Sequence, residues 1–267
     1  MEGASLNYNT QTWVKENGIA GNCANTAGAG TSIFDPVLCE LIYSWFSPDG
    51  GTVLDPFAGG SVRGIVASKL NRQYIGVELR GEQVAANREQ GEKICHGLMP
   101  VWHGGDSLEI AAICKGVVAD LVFSCPPYGD LEIYSDDPAD ISNMPHERFL
   151  EVYRKIIADT CGLLREDRFA CFVVGDFRDK RGMYRNFVGS TVEAFQDAGL
   201  KLYNEAVLIT AVGSLPIRVA KQFTASRKMG KTHQNVLIFI KGDPKRATAA
   251  CGAISVDTPQ FVPSIND

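Results

Sequence analysis

Two short segments combine residue types that could act on one ligand. The first is Val53-Leu54-Asp55-Pro56-Phe57-Ala58-Gly59-Gly60-Ser61, a β-branched run that ends in an acid and turns through two glycines into a helical stretch. Glycines at such a turn tolerate positive φ and let a ligand approach the backbone, while the following helix presents free N–H groups. A second β-rich run ends in Glu78, nineteen residues after Gly59. A carboxylate at the carboxyl end of that strand can accept hydrogen bonds from two ribose hydroxyls, although capping of the next helix is the plainer use. The other segment is Ser124-Cys125-Pro126-Pro127-Tyr128, again at the end of a β-rich run. Its prolines remove two backbone donors and fix the chain so that carbonyls face a cleft, and Tyr128 adds a stacking surface.

Other uses of a glycine turn are disfavoured. Gly59-Gly60-Ser61-Val62-Arg63-Gly64 is not G-x-G-x-x-G, the only G-x-G (Gly28-Ala29-Gly30) follows no strand, and no Walker lysine motif occurs. Asp55 would repel a pyrophosphate. It suits a cationic nucleoside cofactor such as S-adenosylmethionine, which carries a sulfonium and an ammonium.

The elements that must position these residues alternate. Strands are expected at Thr52 to Asp55, Tyr74 to Glu78, Pro100 to Trp102, Leu121 to Ser124, Phe169 to Val174, Tyr203 to Thr210 and Asn235 to Lys241. Helices are expected around Val37 to Trp45, Val62 to Leu70, Glu82 to Ile94, Glu147 to Leu164 and Phe187 to Ala198. This order predicts one doubly wound α/β domain with a seven-stranded, mostly parallel sheet. Its expected span is residues 31–245, after a loose, Gly- and Asn-rich arm over 1–30 and before a weakly periodic tail over 246–267.

With 267 residues, 45% hydrophobic and 21% charged, the chain can bury a real core and reads as globular. No apolar run approaches bilayer length, and the first residues lack a signal-peptide pattern, so a cytoplasmic location and no membrane partner are expected. The eight cysteines form no C-x-x-C pair, so no metal is expected and reduced thiols are the plain reading. A net charge of −5 argues against nonspecific coating of nucleic acid but not against a local basic surface. Such a surface is available in residues 211–233, where Arg218, Lys221, Arg227, Lys228, Lys231 and His233 occur without an acid. Phosphate contact and a solvated loop both fit it. Residues 129–147 are acidic instead.

Together the two motifs resemble those of the S-adenosylmethionine-dependent DNA amino-methyltransferases, of the adenine-N6 and cytosine-N4 type found in bacteria and phages. Asp55 to Ser61 looks like their D-P-F-x-G-S-G-T cofactor loop, and Cys125 to Tyr128 like their D/N/S-P-P-Y tetrad. Thr31-Ser32-Ile33-Phe34-Asp35-Pro36 resembles the element that covers the methionine end, and Gly105-Asp106-Ser107 the position that holds the adenine amine, where an ordinary turn is an equal reading. The resemblance covers roughly Thr31 to Gly242. It implies a Rossmann-like methyltransferase fold with an antiparallel last strand, and a cofactor site made of Thr31, Ser32, Phe34, Asp55, Phe57, Ala58, Gly59, Gly60, Ser61, Glu78, Asp106, Ser107 and Cys125. It further implies catalysis by Cys125, Pro126, Pro127 and Tyr128, with S-adenosylhomocysteine as product and double-stranded DNA as partner. A homodimer is one open arrangement.

In this family a base is flipped from the duplex, stacked on the tyrosine, and its amine held by the carbonyl of the first proline. Here the tetrad opens with Cys125, a weak donor and acceptor. Two readings follow: an inert thiol beside amine methylation, or a nucleophile that adds to a pyrimidine so that carbon-5 is alkylated. In carbon-5 enzymes, however, the cysteine follows a proline, whereas here it precedes two. Methylation of RNA or of a protein glutamine, and a non-catalytic DNA-binding module, are the other classes left open. Target reading would fall to loops over 129–147, 177–185 and 211–233.

Overall fold

The computed structural model describes residues 34–131, 134–210 and 215–254, without the side chains of 130 and 215–218. In chain order the elements are α1 (Pro36–Phe46), β1 (Thr52–Asp55), α2 (Val62–Lys69), β2 (Gln73–Glu78), α3 (Gly81–Ile94), β3 (Val101–Gly104), α4 (Ile110–Ile113) and β4 (Ala119–Ser124). After them come α5 (His146–Leu163), β5 (Leu164–Val174), α6 (Phe187–Asp197), β6 (Lys201–Ile209), α7 (Leu215–Ser226), β7 (His233–Lys241) and α8 (Pro244–Cys251).

The strands form one seven-stranded sheet in the order β3-β2-β1-β4-β5-β7-β6. Pairing is parallel from β3 through β5, and β7 lies antiparallel between β5 and β6. The fold class read from the sequence is therefore the observed one. All six β4 residues are buried, as expected of a central parallel strand covered on both faces. Alternate side chains of the same strands feed two cores: Val53, Phe123, Phe169, Cys171 and Ile238 pack with α1, α2 and α3, whereas Leu54, Val122, Ala170, Phe172 and Phe239 pack with α5 and α6.

Local chemistry explains where helices begin. Asp35 caps α1 by accepting from Val37 N at 2.9 Å, and Pro36 supplies the first helical φ. The same Asp-Pro device starts α8, where Asp243 accepts from Arg246 N at 2.9 Å. That helix falls at the start of the stretch read from sequence as a tail; its Ala- and Thr-rich composition lacks a broad apolar stripe, and Ala247 alone is buried. A second difference is α7, within a stretch read as a loop. Val219 and Phe223 recur at helical spacing after Pro216, but the helix is exposed along residues 220–226, so packing gives it little signature. The arm over 1–30 lies outside the described residues. Among the described residues no helix is long and apolar enough to cross a membrane.

Candidate active site at the carboxyl edge of the sheet

Strand pairing brings the two sequence motifs to one edge. Leu54 of β1 sits beside Val122 of β4, so the chain leaves both strands at Asp55 and Ser124 side by side. Glu78 pairs with Gly104, which delivers Gly105-Asp106-Ser107 to the same edge. Because β7 runs antiparallel, its amino-terminal residues His233 and Gln234 also arrive there.

The glycine turn is open outward and clamped from behind. Gly59 has φ +50°, and a side chain at Gly59 or Gly60 would meet nothing within 4 Å. Behind it, Ala58 N donates to Val77 O at 3.0 Å and Asn87 Nδ2 donates to Gly59 O at 2.7 Å. Gly76 allows this contact, since a Cβ there would lie 2.8 Å from the Ala58 Cβ. Ser61 is buried and bonded to Gln90. Ser107 Oγ donates to Pro56 O at 2.5 Å, which ties the third strand's exit to the loop, and Asp106 accepts from Leu108 N at 2.9 Å.

The two acids differ sharply. Glu78 Oε2 accepts from Gly59 N at 2.9 Å, while Oε1 accepts from Arg80 N at 3.0 Å and is ion-paired with Arg80 Nε at 3.5 Å, so Oε2 keeps a lone pair at a side chain 12% exposed. Asp55 is fully buried. Its Oδ1 accepts from Phe57 N at 3.0 Å and Ser124 Oγ at 2.5 Å, and its Oδ2 from Arg63 Nε at 2.6 Å and Tyr74 Oη at 2.7 Å. Burial works against the Arg63 charge, but the adjacent Asp55 carboxylate outweighs it and leaves the guanidinium pKa above its ordinary value. Burial likewise pushes the Tyr74 phenol up, and the Asp55 charge adds to it. Phe34 packs against Phe123 at 5.7 Å and lies under the Arg63 guanidinium at 4.6 Å, whereas Thr31 and Ser32 lie outside the described residues.

Across the edge, Cys125 is half-buried in no disulfide, with its Sγ 4.0 Å from the Tyr128 hydroxyl. Gln234 donates to that hydroxyl. Tyr128 is stacked on Phe177 with centroids 6.4 Å apart and touched edge-on by Phe187; burial pushes its phenol pKa up, so it stands as a neutral ring and hydroxyl. Pro126 is buried and Pro127 half-buried beside it. Phe57 packs on the other side of the turn, 6.1 Å from Tyr153.

The basic residues separate into two groups. Lys231 reaches the edge: a Cβ on Gly175 would lie 3.7 Å from its Nζ and 4.0 Å from the Tyr128 hydroxyl oxygen. Lys228 lies over Gly182 in a hairpin that leaves β5, where Arg185 N donates to Phe177 O at 2.9 Å and Asp179 N to Met183 O at 2.8 Å. Lys221 and Arg227 stand exposed on and after α7, and His233 is exposed at the start of β7. The Arg218 side chain lies outside the description. No cluster of three or more metal-ligating side chains occurs among the described residues.

The residues missed by sequence reasoning are Arg63, Tyr74, Gln234 and Phe177. A signal existed for Arg63, the one charge among Val62 to Ser68, all of them buried, because such a charge must find a partner.

Known proteins resemble the chain in sequence over part of its length and in fold over most of it. Residues 10–89 match the N6/N4 methyltransferase family, described as DNA methylase. Over 68 residues the chain is 43% identical to the type II methyltransferase M.XycI of Xanthomonas campestris pv. cyanopsidis, covering 25% of this chain and 23% of that protein. The chain thus matches less than a quarter of the length of its curated relatives. Among solved structures, TrmN from Thermus thermophilus superposes with a TM-score of 0.52 at 14% identity, over 78% of this chain and 49% of that one. The magnesium protoporphyrin IX methyltransferase of Synechocystis PCC 6803 with bound SAH gives 0.50 at 12% identity, over 80% and 90%. These likenesses reach beyond the matched segment and show the fold. The first third of the chain is similar in sequence to the DNA methylases, and the described residues have the fold of the Rossmann-like methyltransferases.

Proposed function

We propose that the chain methylates the exocyclic amine of an adenine or cytosine in double-stranded DNA, with S-adenosylmethionine as methyl donor. The observation that carries this reading is the juxtaposition of the glycine turn with the x-P-P-Y segment, joined by the 2.5 Å bond from Ser124 to Asp55. The site fits a nucleoside cofactor: open space lies over Gly59 and Gly60, and the nearby Glu78 retains acceptor capacity for ribose hydroxyls. Phe57, Ala58, Ser61, Asp106 and Ser107 complete the cradle. When bound, the cofactor supplies a methyl group already activated by its sulfonium.

This chain's own residues supply position. The Pro126 carbonyl accepts from the target amine and aims its lone pair, and Tyr128 stacks on the base. The buried Phe177 and Phe187 pack on Tyr128, and Gln234 donates to its hydroxyl. The amine's displaced proton passes to solvent. Lys231 contacts the phosphate beside the flipped nucleotide, and Lys221 on α7 with Arg227, Lys228 and His233 after it extend a basic path, to which the sequence adds Arg218. The 177–185 hairpin reads the groove with exposed Met183 and Tyr184. The DNA-methylase match over residues 10–89 and the type II methyltransferase relatives support DNA as substrate and a restriction-modification setting.

The test is to incubate the protein with methyl-labelled cofactor and unmodified bacterial DNA, digest to nucleosides and identify the product by mass spectrometry. N6-methyladenine or N4-methylcytosine that persists in Cys125→Ala is the expected result. A carbon-5 product that disappears in Cys125→Ala would transfer the chemistry to the thiol, and unlabelled DNA would refute the reading.

A further inference from the structure

The acid that sequence similarity assigns to the cofactor is not free to meet it. Asp55 has four acceptor positions, and four donors fill them: Phe57 N, Ser124 Oγ, Arg63 Nε and Tyr74 Oη. They come from the turn after β1, the end of β4, the first turn of α2 and the start of β2. Arg63 extends the connection, since its Nη2 donates to Phe57 O at 2.6 Å and Ala58 O at 3.0 Å, while Tyr43 Oη donates to Arg63 O at 2.9 Å. Both charged side chains are almost wholly buried, at 5% and 0% exposure. An ammonium could reach Asp55 only by displacing one of these donors, and displacing Arg63 would strand its charge without a counter-ion.

We infer that Asp55 and Arg63 form a positioning hub that fixes the cofactor turn against the x-P-P-Y segment, and that Asp55 does not bind the amino acid end of the cofactor. The hub holds the turn from below by two carbonyls and one N–H, and holds the strand end through Ser124, the residue before the tetrad. The two halves of the site therefore keep one separation, which in-line transfer requires. This inference rests on the methyltransferase reading for its ligand but not for its geometry.

The test compares S-adenosylhomocysteine with its analogue lacking the α-amino group, titrated calorimetrically into the whole chain carrying Asp55→Asn, Tyr74→Phe or Ser124→Ala. The hub predicts that each variant weakens both ligands by the same factor, about tenfold for Ser124→Ala, leaving the ratio of the two Kd values as in wild type. Weakening confined to the amine-bearing ligand in Asp55→Asn would overturn it. If Asp55→Asn fails to fold by circular dichroism, Tyr74→Phe decides: loss of affinity confined to the amine-bearing ligand would equally overturn the inference. Hydrogen exchange gives a ligand-free readout. Ser124→Ala should speed exchange at Phe57 to Gly60, on the far side of Asp55, and unchanged exchange there would refute the hub. Wild-type protein that binds neither ligand would instead refute the proposed function, and the exchange experiment would still judge the hub.

Discussion

The two sides of the active edge are built on opposite terms. On the side of β1, β2 and α2, polar groups are consumed internally: Asp55 spends all its acceptors on protein donors, and Arg63 divides its own between that acid and two carbonyls. On the side of β6, α7 and the 177–185 hairpin, side chains face outward, with Ile209 79%, Met229 73% and Met183 62% exposed. The first side can be rigid before any ligand arrives. The second is a surface awaiting something to cover it, and its cations suit a polyanion. The match to the DNA methylase family lies on the first side, within residues 10–89, as expected if the cofactor is shared between relatives and the target is not.

Alkali should have the largest effect, and it should act through the buried rings rather than through the open side. Burial raises the pKa of Tyr43, Tyr74, Tyr128 and Tyr153, so the folded chain keeps their protons where the unfolded chain would lose them. Stability from these groups is complete below the unfolded value of about 10 and falls above it, by about 1.4 kcal/mol per pH unit for each tyrosine. Phenolate absorbance and circular dichroism should therefore change together, and ionisation of these rings without unfolding would contradict their burial.

Arg63→Met should cost about 3–5 kcal/mol in denaturant unfolding, because it leaves a buried carboxylate without its counter-charge. Arg63→Lys should recover part of it. Arg181→Ala on the exposed hairpin should stay within about 0.5 kcal/mol of wild type, so equal effects from the two arginines would erase the distinction. On the open side, anisotropy titrations of a DNA duplex at several salt concentrations should show the slope of log K against log salt reduced by about 0.9 in Lys221→Ala or Lys228→Ala. An unchanged slope would remove that lysine from the phosphate path.

The layout of the sheet was legible because parallel strands separated by helices leave few alternatives, and glycine turns and Asp-Pro steps mark several of the boundaries. The hub was not. Tyr74 and Ser124 lie 19 and 69 residues from Asp55, and local spacing shows an acid at a strand end without showing which distant donors enclose it. An acid in that position looks available, and only the fold reveals that it is saturated. Glu78, read from the same kind of signal, does keep a lone pair on Oε2. Helix α7 was missed for the opposite reason: it buries so little that its periodicity has nothing to match, and the neighbouring Gly213 and Gly230 suggest a loop.

The antiparallel insertion of β7 also makes the target side replaceable. Ile209 and His233 are direct partners in the ladder, so the segment between them departs from and returns to adjacent points on the sheet. Closing a longer segment over the same gap costs only about 0.6 kcal/mol for each doubling of its length, far less than the core contributes. An unrelated recognition element could therefore be grafted between these two residues while the strands, the tetrad and the cofactor turn stay as they are. Under the proposed function, the share of target reading that falls to this segment could change by exchange of one cassette, while the 177–185 hairpin stays in place.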